Sequence, residues 1–524
     1  MLSRAALATA CMCCCGDRDP PPGRVDCATP SDTALITAHD TSTTPGSDTT
    51  DTSTPPLGPG TCGDLASVFS LGGAGSDNNA EVAAGPDGSL FLGAMFTRTI
   101  VLGAGEPEAI TLIPGGGAEV FVARYDPTGA LSWAVQISSP ESIYVEEMRP
   151  VVGGVVVAGH FYGSFSIQTS PPATFESTGI SDMWLARFDE VGALVWATTA
   201  GGASADLAIG LAALSDDSVI AGGMYSGDAT FGAGEKTETT LPIGSTEESA
   251  WLARYGTDGG LLWAQSISGT LFSRVSGIAA AASDAVSVVG SYSGPGSAVF
   301  GAGQPNETVL DPDVSEGFLA QWFPDGTLTN VIHFGTAFPE RVDVGADGAS
   351  MMSGQFYGTP IFGAGEPNET LLSANATREV FVSRHEPDLS LGWAVQSESA
   401  SAGVGNGYGV VSTPDGGAVA VGYFTNDMQF GAGSPSETLL DSSGQGNYTA
   451  FAARYDGGGA LVCALAFGGS AVDVGSDVVA RPDGTYWLAA WFGSPFLRLD
   501  EGGPNETELA SAGMDDMLVA NYLF

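Results

Sequence analysis

Few side chains in this chain of 524 residues have the type and spacing that catalysis needs. Its four histidines occupy non-equivalent places: His39, His160, His333 and His385. The sequence contains no nucleophile elbow, no zinc-protease helix motif and no phosphate-binding loop. We find no convincing cluster of carboxylates or histidines that breaks the pattern of the chain. The sequence therefore predicts no catalytic residue and no resident cofactor.

Calcium is the one metal for which the sequence offers candidate ligands. Asp311, Asp313 and Glu316 lie together in the segment LDPDVSEG, and Asp216 and Asp217 are adjacent in an expected turn. Calcium prefers carboxylate oxygens, but the EF-hand spacing is missing and the group does not recur. A solvated acidic rim is the better interpretation of these residues, with structural calcium as the alternative.

The N-terminus carries a candidate lipid-attachment site. Residues 1–16 read MLSRAALATACMCCCG, in which small residues precede Cys11 as in a bacterial lipobox. The apolar stretch is shorter than the roughly 7–15 residues of a signal peptide. A mis-assigned start or a soluble protein with a cysteine-rich start is therefore the alternative. Cys11 and Cys14 have C-x-x-C spacing, but no second such pair exists to complete a zinc site.

Residues 17–61 form a segment dominated by Thr, Ser, Asp and Pro. Such a composition supplies too little apolar surface to offset chain entropy, so we expect a disordered linker. Cys27 lies within it and Cys62 just after it, and the two can pair in an oxidising compartment. Two unpaired thiols are the alternative. Cys463 stands alone in the rest of the chain, and we expect it to be a small buried hydrophobic residue.

The charge of the chain excludes several classes of partner. Sixty acidic residues against sixteen basic ones give a net charge of −44, and Lys236 is the only lysine. A field of this sign opposes nucleic acid and anionic lipid surfaces. The sequence also lacks a run of about 18 apolar residues that could span a bilayer. We therefore expect contact with a membrane only through an N-terminal lipid anchor.

From residue 62 onward the sequence repeats with a period of about 66 residues. One marker is the pattern aromatic–aliphatic–small–Arg–aromatic. Its polar position is occupied in turn by Arg124, Arg187, Arg254, Gln321, Arg384, Arg454 and Asn521. A Leu-x-Trp marker follows after a short turn, and a third marker is a Phe or Leu ahead of Gly-Ala-Gly. The three markers keep one phase over seven copies, although the Gly-Ala-Gly marker is degenerate in the second and the last, and this indicates a true structural repeat.

Each copy contains four short segments of β-branched and aromatic residues, separated by turn residues. Four strands repeated seven times predict an all-β, seven-bladed β-propeller over residues 62–524. The chain begins with the strand type that ends each copy. We therefore expect Leu65–Leu71 to pair with Leu518–Tyr522, so that the N-terminal strand completes the last blade and closes the ring.

The markers have expected structural roles. Trp133 and its equivalents should bury apolar area between adjacent sheets, with the indole N–H bonded nearby. The repeated arginines could form a ligand ring. Pairing of each with an Asp or Glu of its own or the next blade is the better interpretation, because Gln321 and Asn521 replace two of them without a charge. Asn330 and Cys463 depart from the Trp pattern, so the packing of their blades is harder to predict.

The unit LARYDxxGxLxWAxxxGG…DGxVxVxGxF…FGxGE resembles the bacterial β-propeller repeat family named SBBP for its seven blades. The resemblance extends over residues 62–524. It implies a seven-bladed ring and an extracytoplasmic location, and it implies no catalytic residue.

We therefore expect a non-enzymatic binding scaffold, lipid-anchored at the bacterial outer membrane or cell surface, or secreted, and monomeric. Its loops would bind a protein, a glycan or a cation, and not nucleic acid. One alternative is a propeller lyase or hydrolase with its site in the central channel. Another is a purely structural protein of the cell envelope. The sequence identifies neither the ligand nor the face of the ring that binds it.

Overall fold

The computed structural model describes residues 63–524, except 170–171, 245–246, 313, 376, 400–402, 443–446 and 500–505. All secondary-structure elements assigned in this part of the chain are β-strands. The segments predicted as a lipobox and a disordered linker, with Cys11, Cys27 and Cys62, lie outside the described residues.

The first half of the described chain contains a single strand followed by three six-strand repeats. The strands are β1 (Asp64–Leu71), β2 (Asp77–Ala84), β3 (Leu90–Phe96), β4 (Ile100–Leu102), β5 (Ile110–Leu112), β6 (Glu119–Tyr125), β7 (Leu131–Ser138), β8 (Ile143–Val151), β9 (Gly154–Phe161), β10 (Ser164–Ile167), β11 (Ala173–Glu176), β12 (Asp182–Asp189), β13 (Leu194–Gly202), β14 (Asp206–Ala213), β15 (Val219–Tyr225), β16 (Ala229–Phe231), β17 (Thr239–Leu241), β18 (Ser249–Tyr255) and β19 (Leu261–Ile267).

The second half contains three more six-strand repeats and a final group of five strands. The strands are β20 (Phe272–Ala280), β21 (Val286–Ser293), β22 (Ala298–Phe300), β23 (Thr308–Leu310), β24 (Glu316–Trp322), β25 (Leu328–His333), β26 (Ala337–Val344), β27 (Ser350–Phe356), β28 (Ile361–Phe362), β29 (Thr370–Leu371), β30 (Glu379–His385), β31 (Leu391–Ser399), β32 (Gly405–Ser412), β33 (Ala418–Phe424), β34 (Met428–Phe430), β35 (Thr438–Leu440), β36 (Thr449–Tyr455), β37 (Leu461–Phe467), β38 (Asp473–Ala480), β39 (Tyr486–Phe492), β40 (Phe496–Leu499), β41 (Thr507–Ala510) and β42 (Asp516–Leu523).

Seven antiparallel four-stranded sheets form the blades. The blades are numbered in chain order, and the strands of each blade are given from the axis outward. Blade 1 is β2-β3-β6-β7, blade 2 is β8-β9-β12-β13, blade 3 is β14-β15-β18-β19, blade 4 is β20-β21-β24-β25, blade 5 is β26-β27-β30-β31, blade 6 is β32-β33-β36-β37 and blade 7 is β38-β39-β42-β1. The innermost strand of each blade contacts that of the next, and β38 of blade 7 contacts β2 of blade 1. The predicted seven-bladed propeller is therefore confirmed as a closed ring.

The N-terminal strand closes the ring as the sequence predicted. Leu65 pairs with Tyr522, and Leu71 pairs with Met517, so β1 is the outermost strand of blade 7. Strand β42 pairs on its other side with β39. Because both ends of the described chain lie in one sheet, blade 7 joins the two ends of the ring through main-chain hydrogen bonds.

The two ends of the ring differ in the way they connect the strands. Short turns join the first and second strands of each blade and, in blades 1–6, also the third and outermost strands, as at Asp126–Gly129, where Gly129 has a φ of 88°. We call this end the turn face. The opposite end, which we call the loop face, carries the links between blades and the points where an inserted hairpin leaves the sheet. Equivalent register positions of the seven innermost strands lie at the same height of the central channel.

The hydrophobic core lies between adjacent blades. The second strands are buried on both faces, as in β3, whose sequence LFLGAMF is buried throughout. One core cluster joins Leu92 and Phe121 of blade 1 with Trp487 of blade 7. Sheets covered on both sides require near-continuous apolar strands, which explains why the alternation of apolar and polar residues is weak in the sequence.

Candidate functional site

The repeated arginines form ion pairs within the ring, as predicted. Arg124, Arg254, Arg384 and Arg454 each contact an aspartate in a turn of the same blade, with N–O distances of 2.6–3.1 Å. Arg187 contacts Asp217 of the next blade at 2.8 Å. These aspartates end the innermost strands at the turn face. The arginines therefore hold turns in place and do not form a ligand ring.

The Leu-x-Trp marker joins neighbouring blades, also as predicted. The indole N–H of Trp133 donates to the carbonyl of Glu190 in the next blade, at 2.8 Å. Trp196 bonds in the same way to Thr257 at 3.0 Å. The glycine of each receiving turn lies against the indole, so a Cβ added at Gly259 would approach the ring of Trp196 to 2.7 Å. Trp and Gly of successive copies therefore form one packing unit.

The Gly-Ala-Gly marker belongs to a hairpin that each repeat inserts between its second and third strands. The hairpin β10–β11 of blade 2 pairs with β7, the outermost strand of blade 1. Near the hairpin tip of blade 1, Oε2 of Glu106 accepts the backbone N–H of Leu131 at 2.8 Å. Glu235 and Glu366 do the same in blades 3 and 5. These hairpins extend over the outer edges of the blades and cover strands that would otherwise be exposed.

The predicted candidate residues are not brought together. His333 contacts Glu316 at 2.8 Å, and Asp311 accepts a hydrogen bond from Ser297. His385 is buried and its ring lies 3.2 Å from the carbonyl of Leu389, and burial lowers its pKa to about 4. Asp313 and His39 lie outside the described residues.

The acidic turn residues considered for calcium are engaged in ion pairs. Asp216 binds Arg254 at 2.6 Å and Asp217 binds Arg187 at 2.8 Å. Glu316 also accepts a hydrogen bond from the hydroxyl of Tyr292 at 2.7 Å. Each of these carboxylates therefore already has a protein partner, which favours the structural interpretation over a calcium site.

The expectation for Cys463 was wrong. This cysteine is half-buried and disulfide-bonded, and it is the only cysteine among the described residues. Cys463 occupies the Trp position of blade 6, as its pairing with Arg454 shows. The covalent bond stands where other blades have an indole contact.

The expectation that no ionisable cluster exists was also wrong. Four charged residues meet across the central channel, and we call them the cross-channel cluster: Glu81, Glu147, Arg341 and Asp477. The three carboxylates lie within 4.8 Å of one another. Each residue follows the bulge in its innermost strand, which is the same register position in blades 1, 2, 5 and 7. Blades 3, 4 and 6 have glycine there.

Arg341 extends from blade 5 to the opposite side of the channel. Its Nη2 lies 3.1 Å from both carboxylate oxygens of Glu81, and its Nε lies 3.7 Å from Oε2 of Glu147. Nη2 also donates to the carbonyl of Glu146 at 3.0 Å. Because one side chain joins blade 5 to blades 1 and 2, the cross-channel cluster obstructs the channel at this height.

Burial dominates the electrostatics of the cross-channel cluster. It raises the pKa of Asp477 to about 6, and it raises the pKa of Glu81 although the Arg341 guanidinium opposes this shift. The side chain of Glu147 is only 1% exposed and is bound to Arg149 at 2.6 Å. The carboxylates could serve as metal ligands, but Arg341 already supplies the positive charge that a cation would supply. The arrangement is suited to joining blades rather than to reacting with a substrate.

A second group of symmetry-breaking residues lies above this cluster, where the channel opens at the loop face. Tyr144 pairs in register with His160, Phe338 with Gln355, and Asn406 with Tyr423, at equivalent heights in blades 2, 5 and 6. We call the following set the loop-face mouth: Tyr144, Glu146, His160, Tyr162, Arg274, Phe338, Glu340, Gln355, Tyr357, Arg378, Tyr408, Tyr423, Tyr448 and Trp491.

The aromatic rings of the loop-face mouth are stacked in groups. In blade 2, Tyr144 and His160 stack with centroids 4.7 Å apart. In blade 5, Phe338 and Tyr357 stack at 5.6 Å, and in blade 6 a closer pair of tyrosines lies at 4.3 Å. Such supported rings form fixed apolar surfaces beside polar groups, which is the usual character of a ligand site.

The turn face is repetitive by comparison. Its inner turns carry the aspartates bound by the motif arginines, and its exposed apolar residues stand singly, such as Val152, Val191 and Phe323 in blades 2 and 4. The sequence reasoning missed the loop-face mouth because its members follow no marker. An alignment of the seven innermost strands would have revealed the positions at which type varies from copy to copy.

Among the described residues no helix is long and apolar enough to cross a membrane. No protein-family model matches the chain, and no curated protein matches it. The resemblance to the bacterial seven-bladed repeat family therefore stays a prediction.

Several solved structures are similar at low identity. The WD40 domain of Pan2 from Neurospora crassa is 9% identical over 85% of this chain and 89% of its own, with a TM-score of 0.39. A protein of unknown function from Dyadobacter fermentans is 7% identical over 88% and 99%, with a TM-score of 0.37. A gluconolactonase from Xanthomonas campestris is 14% identical over 58% and 90%, with a TM-score of 0.23. At these values the similarities carry no argument about function.

Proposed function

We propose that this protein is a non-catalytic binding scaffold displayed outside the cytoplasm, with its ligand site at the loop-face mouth. One observation carries the proposal: residues that vary between the copies are concentrated at one end of a ring whose other end is repetitive. A rigid ring of seven sheets holds these side chains in fixed positions, and function in repeat folds resides in such variable residues on a constant frame.

The location outside the cytoplasm has independent support. Cys463 is disulfide-bonded, and disulfides persist in oxidising compartments. The lipobox-like residues before Cys11 agree with such an address. We propose that Cys11 is lipidated and that the linker holds the ring away from the membrane. Metabolic labelling with a fatty acid tests this, because label on the wild type should disappear in Cys11→Ala, and an unlabelled wild type would reject the anchor.

The competing enzyme interpretation has one feature in its favour, the convergence of Glu81, Glu147 and Asp477 on the axis. Against it, all three carboxylates are buried, and Glu81 and Glu147 are bound to arginines, as in a structural ion-pair network. A catalytic carboxylate must reach its substrate. The described cluster offers no such accessible group, so we assign it to stability.

A probe panel tests the binding function and its place. The full chain carrying Cys11→Ser is titrated with neutral oligosaccharides, oligolysine, oligoglutamate and Ca²⁺. We expect binding of one class to fall at least tenfold in Tyr357→Ala/Tyr448→Ala. Phe323→Ala, which removes a 51% exposed aromatic ring from the turn face, is the matched control and should leave binding unchanged.

The same experiment separates binding from catalysis. The bound probe should be recovered chemically unchanged after prolonged incubation. Conversion of a probe that is abolished by Glu81→Gln would establish the enzyme alternative instead. Loss of binding in Phe323→Ala alone, or binding by none of the probes, would reject the loop-face mouth as the site.

A further inference from the structure

We infer that the loop-face mouth binds a neutral glycan, which stacks on the exposed rings of Tyr357 and Tyr448 and hydrogen-bonds to the polar groups beside them. This inference rests on the proposed function and names the ligand class of the same site. It follows from three properties of blades 4, 5 and 6: flat supported aromatic rings, a connected chain of polar side chains, and the sign of the charge.

The two exposed rings are both held from behind. Tyr357 is 39% exposed and stacks on Phe338 with an interplanar angle of 22°. Tyr448 is 38% exposed and stacks on Tyr423, also at 22°. A ring fixed in this way loses little conformational entropy on binding and presents a flat apolar face. The C–H face of a pyranose is the matching surface.

The two rings lie on adjacent blades in direct contact. Strand β27 of blade 5 packs against β32 of blade 6, where the Ser353 hydroxyl lies 3.2 Å from the carbonyl of Gly409. Arg378, which follows the hairpin of blade 5, pairs with Val404 in an isolated bridge just before β32. Tyr448 lies at the next junction, because its carbonyl accepts the backbone N–H of Asp473 in blade 7 at 2.9 Å. Tyr357 directly follows β27 and lies at the junction of blades 5 and 6. The two rings therefore occupy neighbouring junctions at the loop face, as two stacking positions for one chain of sugars would.

A chain of hydrogen-bonded polar side chains leads from blade 4 to the junction of blades 5 and 6. Arg274 contacts Glu340 at 3.2 Å, and the amide of Gln355 donates to the same carboxylate at 3.3 Å. Arg378 in turn donates to the amide oxygen of Gln355 at 3.1 Å. Arg378 is exposed, and a guanidinium has five N–H donors of which this bond uses one. The hydroxyl groups of a sugar both donate and accept hydrogen bonds, so they are suited to this ordered set of donor and acceptor side chains.

The charge of the molecule decides among ligand classes. Residues after position 61 include 53 acidic and 13 basic side chains, a net charge of −40, which repels an anionic ligand. A cationic ligand would need carboxylates to bind it. Glu340 is already bonded to Arg274 and Gln355, and Glu146 lies 3.2 Å from His160. An uncharged ligand is not repelled by the net negative charge and does not need a carboxylate to bind it.

The cross-channel cluster sets the depth of the site. Because Arg341 spans the channel below the mouth, a ligand can lie across the loop face but cannot thread through the ring. The stacking rings stand at the rim and not in the channel. We therefore expect recognition of a short run of sugars along a chain, rather than burial of a single small molecule.

The test uses the full chain with Cys11→Ser and hexasaccharides of four neutral types, β-glucan, α-glucan, xylan and mannan, measured by calorimetry. Oligogalacturonate and oligolysine are the anionic and cationic comparisons. We expect one neutral hexasaccharide to bind, with at least tenfold weaker binding in Tyr357→Ala/Tyr448→Ala and about wild-type binding in Phe323→Ala. Both mutated rings are exposed, and an unchanged melting midpoint confirms that the variant folds.

The outcomes separate the two proposals. Binding of oligolysine or oligogalacturonate that is lost in Tyr357→Ala/Tyr448→Ala would keep the scaffold function and overturn the neutral glycan. Binding of a neutral hexasaccharide that the double substitution leaves unchanged would overturn this site. Retention of binding in Tyr357→Phe/Tyr448→Phe would show that the ring faces, and not the hydroxyls, provide the contact.

Discussion

Leu389 in a turn of blade 5 and Asn330 in blade 4 replace a glycine and a tryptophan that occur together in other blades. Wherever a blade carries the marker tryptophan, the equivalent turn position of the next blade is a glycine. Leu389 keeps the left-handed backbone of that glycine, with a φ of 67°, yet its side chain is only 2% exposed. It belongs to a core cluster with Phe334 of blade 4. A side chain in the turn thus replaces the indole that the facing strand lacks.

Substitutions at Leu389 and Asn330 should have coupled effects on the free energy of unfolding. Leu389→Gly removes about 2–4 kcal/mol of stability by opening a cavity, partly offset by relief of a backbone conformation that costs about 1–2 kcal/mol. Asn330→Trp alone should also destabilise, because the indole meets Leu389. The double variant restores the arrangement of the other blades. We expect a coupling energy of about 1–3 kcal/mol by urea denaturation, and additive effects would contradict the pairing.

The contact between Trp and Gly can be isolated with two glycines of similar backbone conformation. Gly259 has a φ of 81° and lies under Trp196, whereas Gly129 has a φ of 88° and nothing within 4 Å of the position a Cβ would occupy. Alanine at either site costs the same backbone strain. Gly259→Ala should cost about 1–3 kcal/mol more than Gly129→Ala, measured by urea denaturation, because only it displaces an indole. Equal losses would show that the backbone alone requires glycine.

Removing Arg341 should destabilise the ring strongly. Arg341→Met leaves Glu81 and Glu147 buried without their shared partner, at a cost of about 3–5 kcal/mol by urea denaturation at neutral pH. Protonation of Glu81 should lessen this cost as the pH falls, because burial has already raised its pKa. Arg378→Met, at an exposed guanidinium, is the control and should change stability little. A loss equal to that of the control would show that the cross-channel cluster contributes nothing to stability.

Buried aspartates should make the ring more stable in mild acid. Burial raises the pKa of Asp77 and Asp206 to about 7 and those of Asp473 and Asp516 to about 6. Between about pH 4 and pH 7 the folded state therefore binds more protons than the unfolded state, and stability falls as the pH rises through this window. Each such proton contributes a slope of about 1.4 kcal/mol per pH unit. We expect the denaturation midpoint to rise from pH 8 to pH 5.

Substitution identifies the groups responsible. Asp206→Asn should flatten the slope between pH 8 and pH 5, whereas Asp388→Asn, at an exposed turn, should leave it unchanged. The measurement is repeated at high salt, since relief of the general repulsion from a net charge of −44 is screened there and burial of a carboxyl is not. A slope that disappears at high salt would assign the effect to repulsion.

The partner of Cys463 is open to direct measurement. In other blades the side chain at this position contacts the turn that precedes the outermost strand of the next blade. By the spacing of the sequence repeat, the residues directly before Gly63 and Asp64, where β1 begins, correspond to that turn in blade 7, and they include Cys62. We therefore predict a bond to Cys62 rather than the pairing of Cys62 with Cys27. Peptide mapping of the unreduced protein decides between them.

Loss of this bond should destabilise the closed ring. Cys463→Ser and Cys62→Ser should each cost about 2–4 kcal/mol in chemical denaturation without reductant, and together no more than either alone. Cys27→Ser is the control and should be neutral. A peptide that joins Cys27 to Cys463 would contradict the assignment.

The fold could be predicted from the amino-acid sequence alone. The number of blades, the pairing of Leu65–Leu71 with Leu518–Tyr522 and the role of Arg124 and its equivalents followed from a period of about 66 residues and from short turns. Such features are local and recur seven times, so each copy confirms the others. Strand closure is then required by the phase at which the repeat begins and ends.

The residues that depart from the repeat and meet in space could be identified only in three dimensions. Glu81, Arg341 and Asp477 are each more than 100 residues apart in the sequence, and each departs from its own repeat in a different way. Their encounter depends on closing the ring, which brings one register position of blades 1, 2, 5 and 7 around a common axis. Charge pairing and ring stacking across that axis act through space and leave no periodic signal in the chain. The fold could therefore be predicted from repetition, but the loop-face mouth and the cross-channel cluster could not.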